Sequence, residues 1–578
     1  MSAQQPDSSA PASAQQQNAD TRSSPQQPTA GTPLSAAQLS SYIDRVASAW
    51  ASYTSANGLV ADPLNPEDTG DNYGVIMLAD VMLKLARETG DSTLESAGVR
   101  IVESALTLPV PSDPFNLLAI AAVIHDGRSG KFSTAAWQQL AVPLELLAGQ
   151  IGPPTGANCL AELGCYSNWR LVWSAGAALL GADQLAGVPG TLAGESAVVT
   201  TQIKADLGLA LEYAGAPLRM SPNAGGPARE LSDPGAEPSA YELFSSFMLE
   251  LVGEFDPRTI TPAVARLRNQ ADRYALDMIA PDGQLSLAGR SLDQSWVQAA
   301  AVALGARRAA LEPATAGVWR AFADRALSYL LGSYPLQLDG LLPIVPGLDL
   351  DWSQSIMDGY AALNQYEGLT LWLLSDALER WPSVRAPRTS LPVDGKSLLA
   401  DDLASSGLVW GRAGGVWWEL SGRSTSSDPR EAQGLVQVKV ERTSGWRDLL
   451  ALRPIQHGQS SVWALTLPSK TTATPIFHEV RGTAGATVLS GIYRRPDGRI
   501  VARVTWKLRT TSTGIELSMS VPAKATLHTT LWVAGATRLA SPNASQTPGA
   551  CLVTASGRAC PVTIYWHHTR TATLQLSA

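Results

Sequence analysis

Three short stretches of the chain carry side chains that can hold a carboxylate, move a proton and offer a flat apolar face. The run "SNWRLVWSAGAALL" (167–180) sets the amide of Asn168 beside the ring of Trp169. "EPSAYELFSSFML" (237–249) contains Tyr241, and "DGQLSLAGRSLDQSW" (282–296) contains Arg290. An amide and a guanidinium are donors suited to a carboxylate. A phenol can take up and return a proton when a neighbouring cation lowers its pKa from about 10. An indole face matches the C–H-rich face of a sugar ring, and the chain holds 17 Trp against 7 Phe. Most of these tryptophans are expected to fill cores. Trp173, Trp296, Trp352, Tyr73 and Tyr366 join Trp169 as stacking candidates.

Each of these residues also has an ordinary reading. Asn168 can be the N-cap of its helix, Tyr241 a core residue, and Arg290 an ion-pair partner of Asp282 or Asp293. Of six histidines, only His125 falls in the helical part, in "AAVIHDGRSG" at a helix end. It reads as a second proton carrier reaching a cleft, or as a cap on the last carbonyls of its helix. His478 in "PIFHEVRG" reads as a surface strand residue. Asp71, Asp351, Asp358 and Glu367 are the acids from which a hydrolytic pair, about 6.5–9.5 Å apart, would have to be drawn. No HExxH, P-loop, EF-hand loop or GxSxG occurs in a fitting context, so neither a metal nor a cofactor is expected.

The elements that must position these residues change character once along the chain. From 35 to 385 the apolar spacing is three to four, as in "LSAAQLSSYIDRVASAWASYTSA" and "YGVIMLADVMLKLARETG". Further helices are expected over 168–183, 195–214, 239–254, 261–280, 291–311, 316–333 and 355–380, broken by Gly, Pro and Asp clusters. Eleven or twelve helices of similar length, without a repeat of fixed period, predict a ring of helical hairpins, an α/α toroid, rather than a linear solenoid. "WPSVRAPRTSLPVDGKS" supplies a Pro-rich joint, with the linker placed at 386–396. From 397 to 578 the period becomes two, with "RPDGR" at 495–499 a hairpin turn, and an antiparallel β-sandwich is expected.

Composition narrows the partners. A net charge of −8 with no Lys/Arg cluster argues against nucleic acid. No run of 18 apolar residues exists, so membrane insertion is not expected. The four cysteines form two local pairs, Cys159 with Cys165 and Cys551 with Cys560, without CxxC metal spacing. Two disulfides, with Cα atoms about 4.4–6.8 Å apart, would fit a secreted or envelope protein. Residues 1–34 are Gln/Ser/Pro/Ala-rich and show neither the basic nor the apolar region of a secretory signal; they read as a disordered tail.

A helical toroid followed by a β-sandwich, with the Asn-Trp, Tyr and Gly-Arg-Ser segments in that order, resembles the chondroitin, hyaluronate, alginate and heparin polysaccharide lyases. The resemblance implies β-elimination on a uronate-containing polysaccharide. In it Asn168 and Arg290 neutralise the carboxylate, Tyr241 acts as base and acid, and Trp169 stacks on a sugar. It also departs from the family. Those lyases place a His between the Asn-Trp and Tyr segments, and residues 170–240 contain none. His125 is the substitute candidate. An α/α-toroid glycoside hydrolase and a non-catalytic glycan-binding protein are the alternatives.

Overall fold

The structure, a computed structural model, describes residues 35–64, 72–107, 114–151, 167–181, 196–212, 214–219, 227–231, 240–285, 291, 293–337, 340–346, 362–381, 388–422, 434–451, 463–554, 557–567 and 569–578. Twelve α-helices stand among them: α1 (Ala36–Tyr53), α2 (Tyr73–Thr89), α3 (Ser92–Thr107), α4 (Pro114–Arg128), α5 (Thr134–Ala148) and α6 (Ser167–Leu180). They continue as α7 (Ser196–Glu212), α8 (Ala240–Phe255), α9 (Pro262–Met278), α10 (Ser295–Leu311), α11 (Ala316–Ser333) and α12 (Leu363–Arg380). The predicted helix over 291–311 begins four residues late, because Ser291 and Asp293 turn the chain through positive φ.

Helices α2, α4, α6, α8, α10 and α12 form an inner ring in which each packs on the next and α12 returns to α2. Outside it, α3 lies on α2, α5 on α4, α7 on α6, α9 on α8, α11 on α10 and α1 on α12. This is an α/α toroid closed by six hairpins. Burial explains which helix goes where. In α10 every side chain from Ser295 to Ala309 is buried, as a helix enclosed on all sides requires. The outer helix α1 instead buries one stripe, including Leu39, Tyr42, Ile43, Val46 and Trp50.

Glycine closes the ring. A Cβ on Gly368 of α12 would stand 1.9 Å from the Gly74 carbonyl of α2, and one on Gly74 would stand 2.0 Å from the Gln365 carbonyl. The Gly/Ala-rich part of α6 works the same way, with Gly176 against the Leu117–Leu118 backbone of α4.

One feature of the helical half was not anticipated: a two-stranded ribbon, β1 (Ala214–Pro217) with β2 (Arg229–Leu231), between α7 and α8. The remaining strands follow 396. A five-stranded antiparallel sheet runs in the order β3 (Ser397–Asp402), β4 (Leu408–Ala413), β5 (Val416–Ser421), β6 (Gly434–Arg442), β7 (Gly445–Asp448). The eleven strands from β8 (Ala464–Thr466) to β18 (Thr571–Ser577) make a second antiparallel sheet. The predicted turn at 495–499 is present, with Gly498 at φ 85°.

The small sheet is buried on both faces, and the pleat assigns alternate residues to the two sides. Leu398, Trp410 and Trp417 join the core of the helices, whereas Leu399, Val409 and Trp418 join the core between the sheets. Hydrogen bonds from Trp410 Nε1 to the Asp277 carbonyl (2.7 Å) and from Tyr274 Oη to Asp402 (2.9 Å) fix the contact between the halves. Cys551 and Cys560 form a disulfide with Cα atoms 4.0 Å apart. That is closer than expected, because the two face each other across the β16 (Leu552–Thr554) and β17 (Gly557–His567) pair. Cys159 and Cys165 lie outside the described residues. No helix among the described residues is long and apolar enough to cross a membrane.

Candidate active site

The six inner helices run in one direction, so their N-termini share one end of the ring and their C-termini the other. Tyr73 opens α2, Asn168 and Trp169 open α6, Tyr241 opens α8, Trp296 opens α10 and Tyr366 lies in the first turn of α12. Residues scattered over nearly three hundred positions therefore lie at one end of the ring. Parallel helices also present six positive dipole ends there, which favours an anionic ligand.

Aromatic rings join the first turns of α2, α4, α8, α10 and α12 side to side. Tyr73 meets Phe115 of α4 at 4.7 Å between centroids, and Phe115 stacks on Phe244 of α8 at 5.8 Å. Trp296 meets Phe244 edge-on at 5.6 Å, Tyr241 edge-on at 5.8 Å, and Tyr366 in a stack at 6.2 Å. Tyr73, Trp296 and Tyr366 are 7 %, 3 % and 5 % exposed, so they pack on one another in the core and offer no open face for a sugar, contrary to the expectation from sequence. Trp169 is half-buried and Asn168 is buried.

The Tyr241 hydroxyl shares a hydrogen bond of 3.3 Å with the Ser291 hydroxyl. Ser291 stands at φ 62° and Asp293 at φ 48°, conformations that side-chain-bearing residues seldom adopt and that surrounding structure must hold in place. Asp293 is the anchor. Its carboxylate accepts from Gln284 Nε2 (2.9 Å), Tyr329 Oη (3.3 Å) and Tyr334 Oη (3.2 Å), and its carbonyl also accepts from Tyr334 (2.9 Å). Burial pushes the Asp293 carboxyl up to about 8, against the pull of Lys439 and the hydrogen bonds from Gln284 and Tyr334. Arg290, one residue before Ser291, lies outside the described residues.

Three further sequence expectations are corrected. His125 sits in the last turn of α4, against Phe255 at 5.0 Å, and therefore at the other end of the ring. His125 follows the first residue of α4 by eleven positions, about 16 Å along the helix axis, so it cannot serve Tyr241 at the opposite end. Its neighbours there are the charged side chains that close the C-terminal ends, among them Lys84, Asp126, Arg307 and Asp376. Burial lowers its pKa. Trp173, one turn beyond Trp169, is 1 % exposed and donates to the Ile151 carbonyl at 3.4 Å; it is a core residue. Glu367 is fully buried, accepting from Trp50 Nε1 (2.8 Å) and the Leu342 amide (3.0 Å), which holds α1 and the 341–345 segment to α12. Burial raises its pKa well above its usual value, and with no exposure and its carboxylate engaged by Trp50 and Leu342 it is a structural acid that no substrate can reach.

Asp71, Asp351, Asp358 and Trp352 lie outside the described residues. His478 is an exposed strand residue, as expected. Among the described residues no group of His, Cys, Asp or Glu is arranged to hold a metal. Ser291, Phe115 and Phe244 were not singled out by sequence. Only the closeness of Ser291 to the Gly-Arg pair marked it.

No family model and no curated protein matches the sequence. Among solved structures, the chain is similar to the chondroitin AC lyase of Streptomyces coelicolor A3 in complex with chondroitin sulphate, at 11 % identity and TM-score 0.47, over 94 % of this chain and 79 % of that one. It is also similar to a family 88 glycosyl hydrolase from Bacteroides vulgatus, at 11 % identity and TM-score 0.38, over 60 % and 99 % of the two chains. A third is an unsaturated glucuronyl hydrolase from Streptococcus agalactiae, at 10 % identity and TM-score 0.40, over 63 % and 95 %.

Proposed function

We propose that the protein is a polysaccharide lyase that cleaves a uronate-containing polysaccharide by β-elimination at the mouth of the toroid. The observation that carries this reading is that Asn168 and Trp169, at the start of α6, and the Tyr241–Ser291 pair, at the start of α8, lie at the end of the ring to which six helix N-termini point. Positive helix ends and an amide suit a carboxylate-bearing sugar. Tyr241 takes the proton beside the carboxylate. The electron pair left behind forms the ring double bond as the 4-linked oxygen departs, and Tyr241 returns the proton to that oxygen. Asn168 and Arg290 neutralise the carboxylate, so that the developing carbanion is not opposed by a full negative charge. Ser291 accepts or donates to the Tyr241 hydroxyl and aims it. With His125 at the far end, the acid and base work rests on Tyr241. The disulfide supports a secreted or envelope location.

The test is an assay of purified protein on uronate-rich polymers, following both far-UV absorbance of the unsaturated product and reducing ends. Elimination raises both. Hydrolysis raises reducing ends alone, and a glycan-binding protein raises neither; either outcome overturns the proposal.

A further inference from the structure

The Ser291 turn is tied to the β-half of the molecule by a continuous chain of polar contacts. Lys439 lies on β6 and is fully buried, with Nζ 2.6 Å from Asp282 and 2.6 Å from Asp448. Asp448 belongs to β7, whereas Asp282 belongs to the loop after α9. Asp282 accepts from the Gln284 amide at 3.2 Å, and the Gln284 side chain donates to Asp293 at 2.9 Å. Two residues back from Asp293, Ser291 meets Tyr241. The backbone of this loop is also pinned locally, by Gly283 N–H to the Ala280 carbonyl and Gln294 N–H to the Ser291 carbonyl.

A buried ammonium is costly to place unless carboxylates surround it. A non-glycine turn at positive φ is likewise costly unless neighbours over-determine it. Here one arrangement meets both needs. The two carboxylates satisfy Lys439, and Asp282 thereby becomes a fixed point from which Gln284 and Asp293 hold the turn.

We propose that Lys439 is a positioning residue for the Tyr241–Ser291 pair, acting from the β-half through Asp282, Gln284 and Asp293. The inference deepens the lyase reading and rests on it for the consequence in catalysis, but the structural coupling stands apart from any substrate. On this view the β-half does more than shield the toroid. Its small sheet sets the geometry of the proton-carrying tyrosine, so loosening the contact between the halves misplaces Ser291 without touching the mouth.

Hydrogen exchange read by mass spectrometry tests the coupling with no ligand. In Lys439→Met, amides in peptides spanning 280–296 should exchange at least tenfold faster, while those of α4 stay as in the wild type. Gln284→Leu, which leaves the Lys439 pairs intact and cuts the chain in its middle, should show the same local loosening, and it carries the test if Lys439→Met does not fold. Unchanged exchange in the 280–296 peptides, or an equal rise throughout the molecule, overturns the proposal. The second readout is kinetic. On a polymer that the wild type cleaves, both variants should lose at least tenfold in kcat with KM within about twofold. A loss confined to KM overturns the positioning role. Absence of elimination by the wild type overturns the lyase reading alone and leaves the exchange result standing.

Discussion

Tyr241 is buried at the first turn of α8, and its hydroxyl touches Ser291 without contributing to the aromatic packing around Trp296. Tyr241→Phe should therefore abolish elimination while shifting the thermal midpoint by no more than a few degrees, since one hydrogen bond is worth about 1 kcal/mol. Retained activity in that variant removes Tyr241 from the mechanism. Asp293 gives a pH signature. Its folded pKa of about 8 lies above the ordinary value near 3.8, so the folded state holds the proton more tightly. Its stabilising contribution is complete at low pH and is lost as pH rises through this window, at no more than about 1.4 kcal/mol per unit. Asp293→Asn removes that loss. Urea unfolding at pH 5 and pH 8 should show the variant gaining on the wild type toward the higher pH; a constant difference between them would contradict the assignment.

At the scale of elements, the seam between α2 and α12 is the place where the ring is least forgiving. Gly74 and Gly368 bring two backbones into direct contact, and no side chain fits between them. Gly368→Ala gains intrinsic helix propensity of up to about 1 kcal/mol. The clash with the Gly74 carbonyl outweighs it, and a net loss of about 2–4 kcal/mol in denaturant unfolding is expected. Gly208 on the outer helix α7 has nothing within 4 Å of an added Cβ, so Gly208→Ala is the control and should be neutral or stabilising. The pairing of Cys551 with Cys560 closes a short loop near the end of the chain. Its reduction should cost about 2–3 kcal/mol, read as a lower thermal midpoint in reductant.

Over the whole molecule, the five-stranded sheet belongs to two cores at once. Trp417 packs with the helices and its neighbour Trp418 packs with the large sheet. Removing the β-half would expose Leu398, Trp410 and Trp417 partners on the toroid and cut the Tyr274–Asp402 and Lys439–Asp282 contacts. Calorimetry should accordingly show one cooperative unfolding transition for the intact chain. Two well-separated transitions would show that the halves unfold independently. The far end of the ring supports the same unity: Lys84 joins Asp80, Asp126 and Glu379, tying α2, α4 and α12 where their negative dipole ends meet.

Periodicity alone determined the two halves, because apolar spacing of three to four and of two are direct consequences of helix and strand geometry. It placed most helix ends within two or three residues, while side-chain chemistry and the order of the Asn-Trp, Tyr and Gly-Arg-Ser segments singled out Asn168, Trp169, Tyr241, Tyr73, Trp296 and Tyr366. What it did not carry was direction. A helix has two ends, and only the closed ring shows that all six inner helices point the same way. That arrangement gathers their first turns into one mouth and sends His125, in a last turn, to the opposite end. Trp173 and Glu367 were misplaced for a related reason: which side of a fully buried helix faces a cleft depends on its neighbours, and a helix enclosed all round carries no polar stripe to reveal it. The turn at 291–293 left no periodic signal either. Its positive φ values are held by Gln284, Tyr329 and Tyr334, side chains that meet only once the outer helix α11 has packed against the loop.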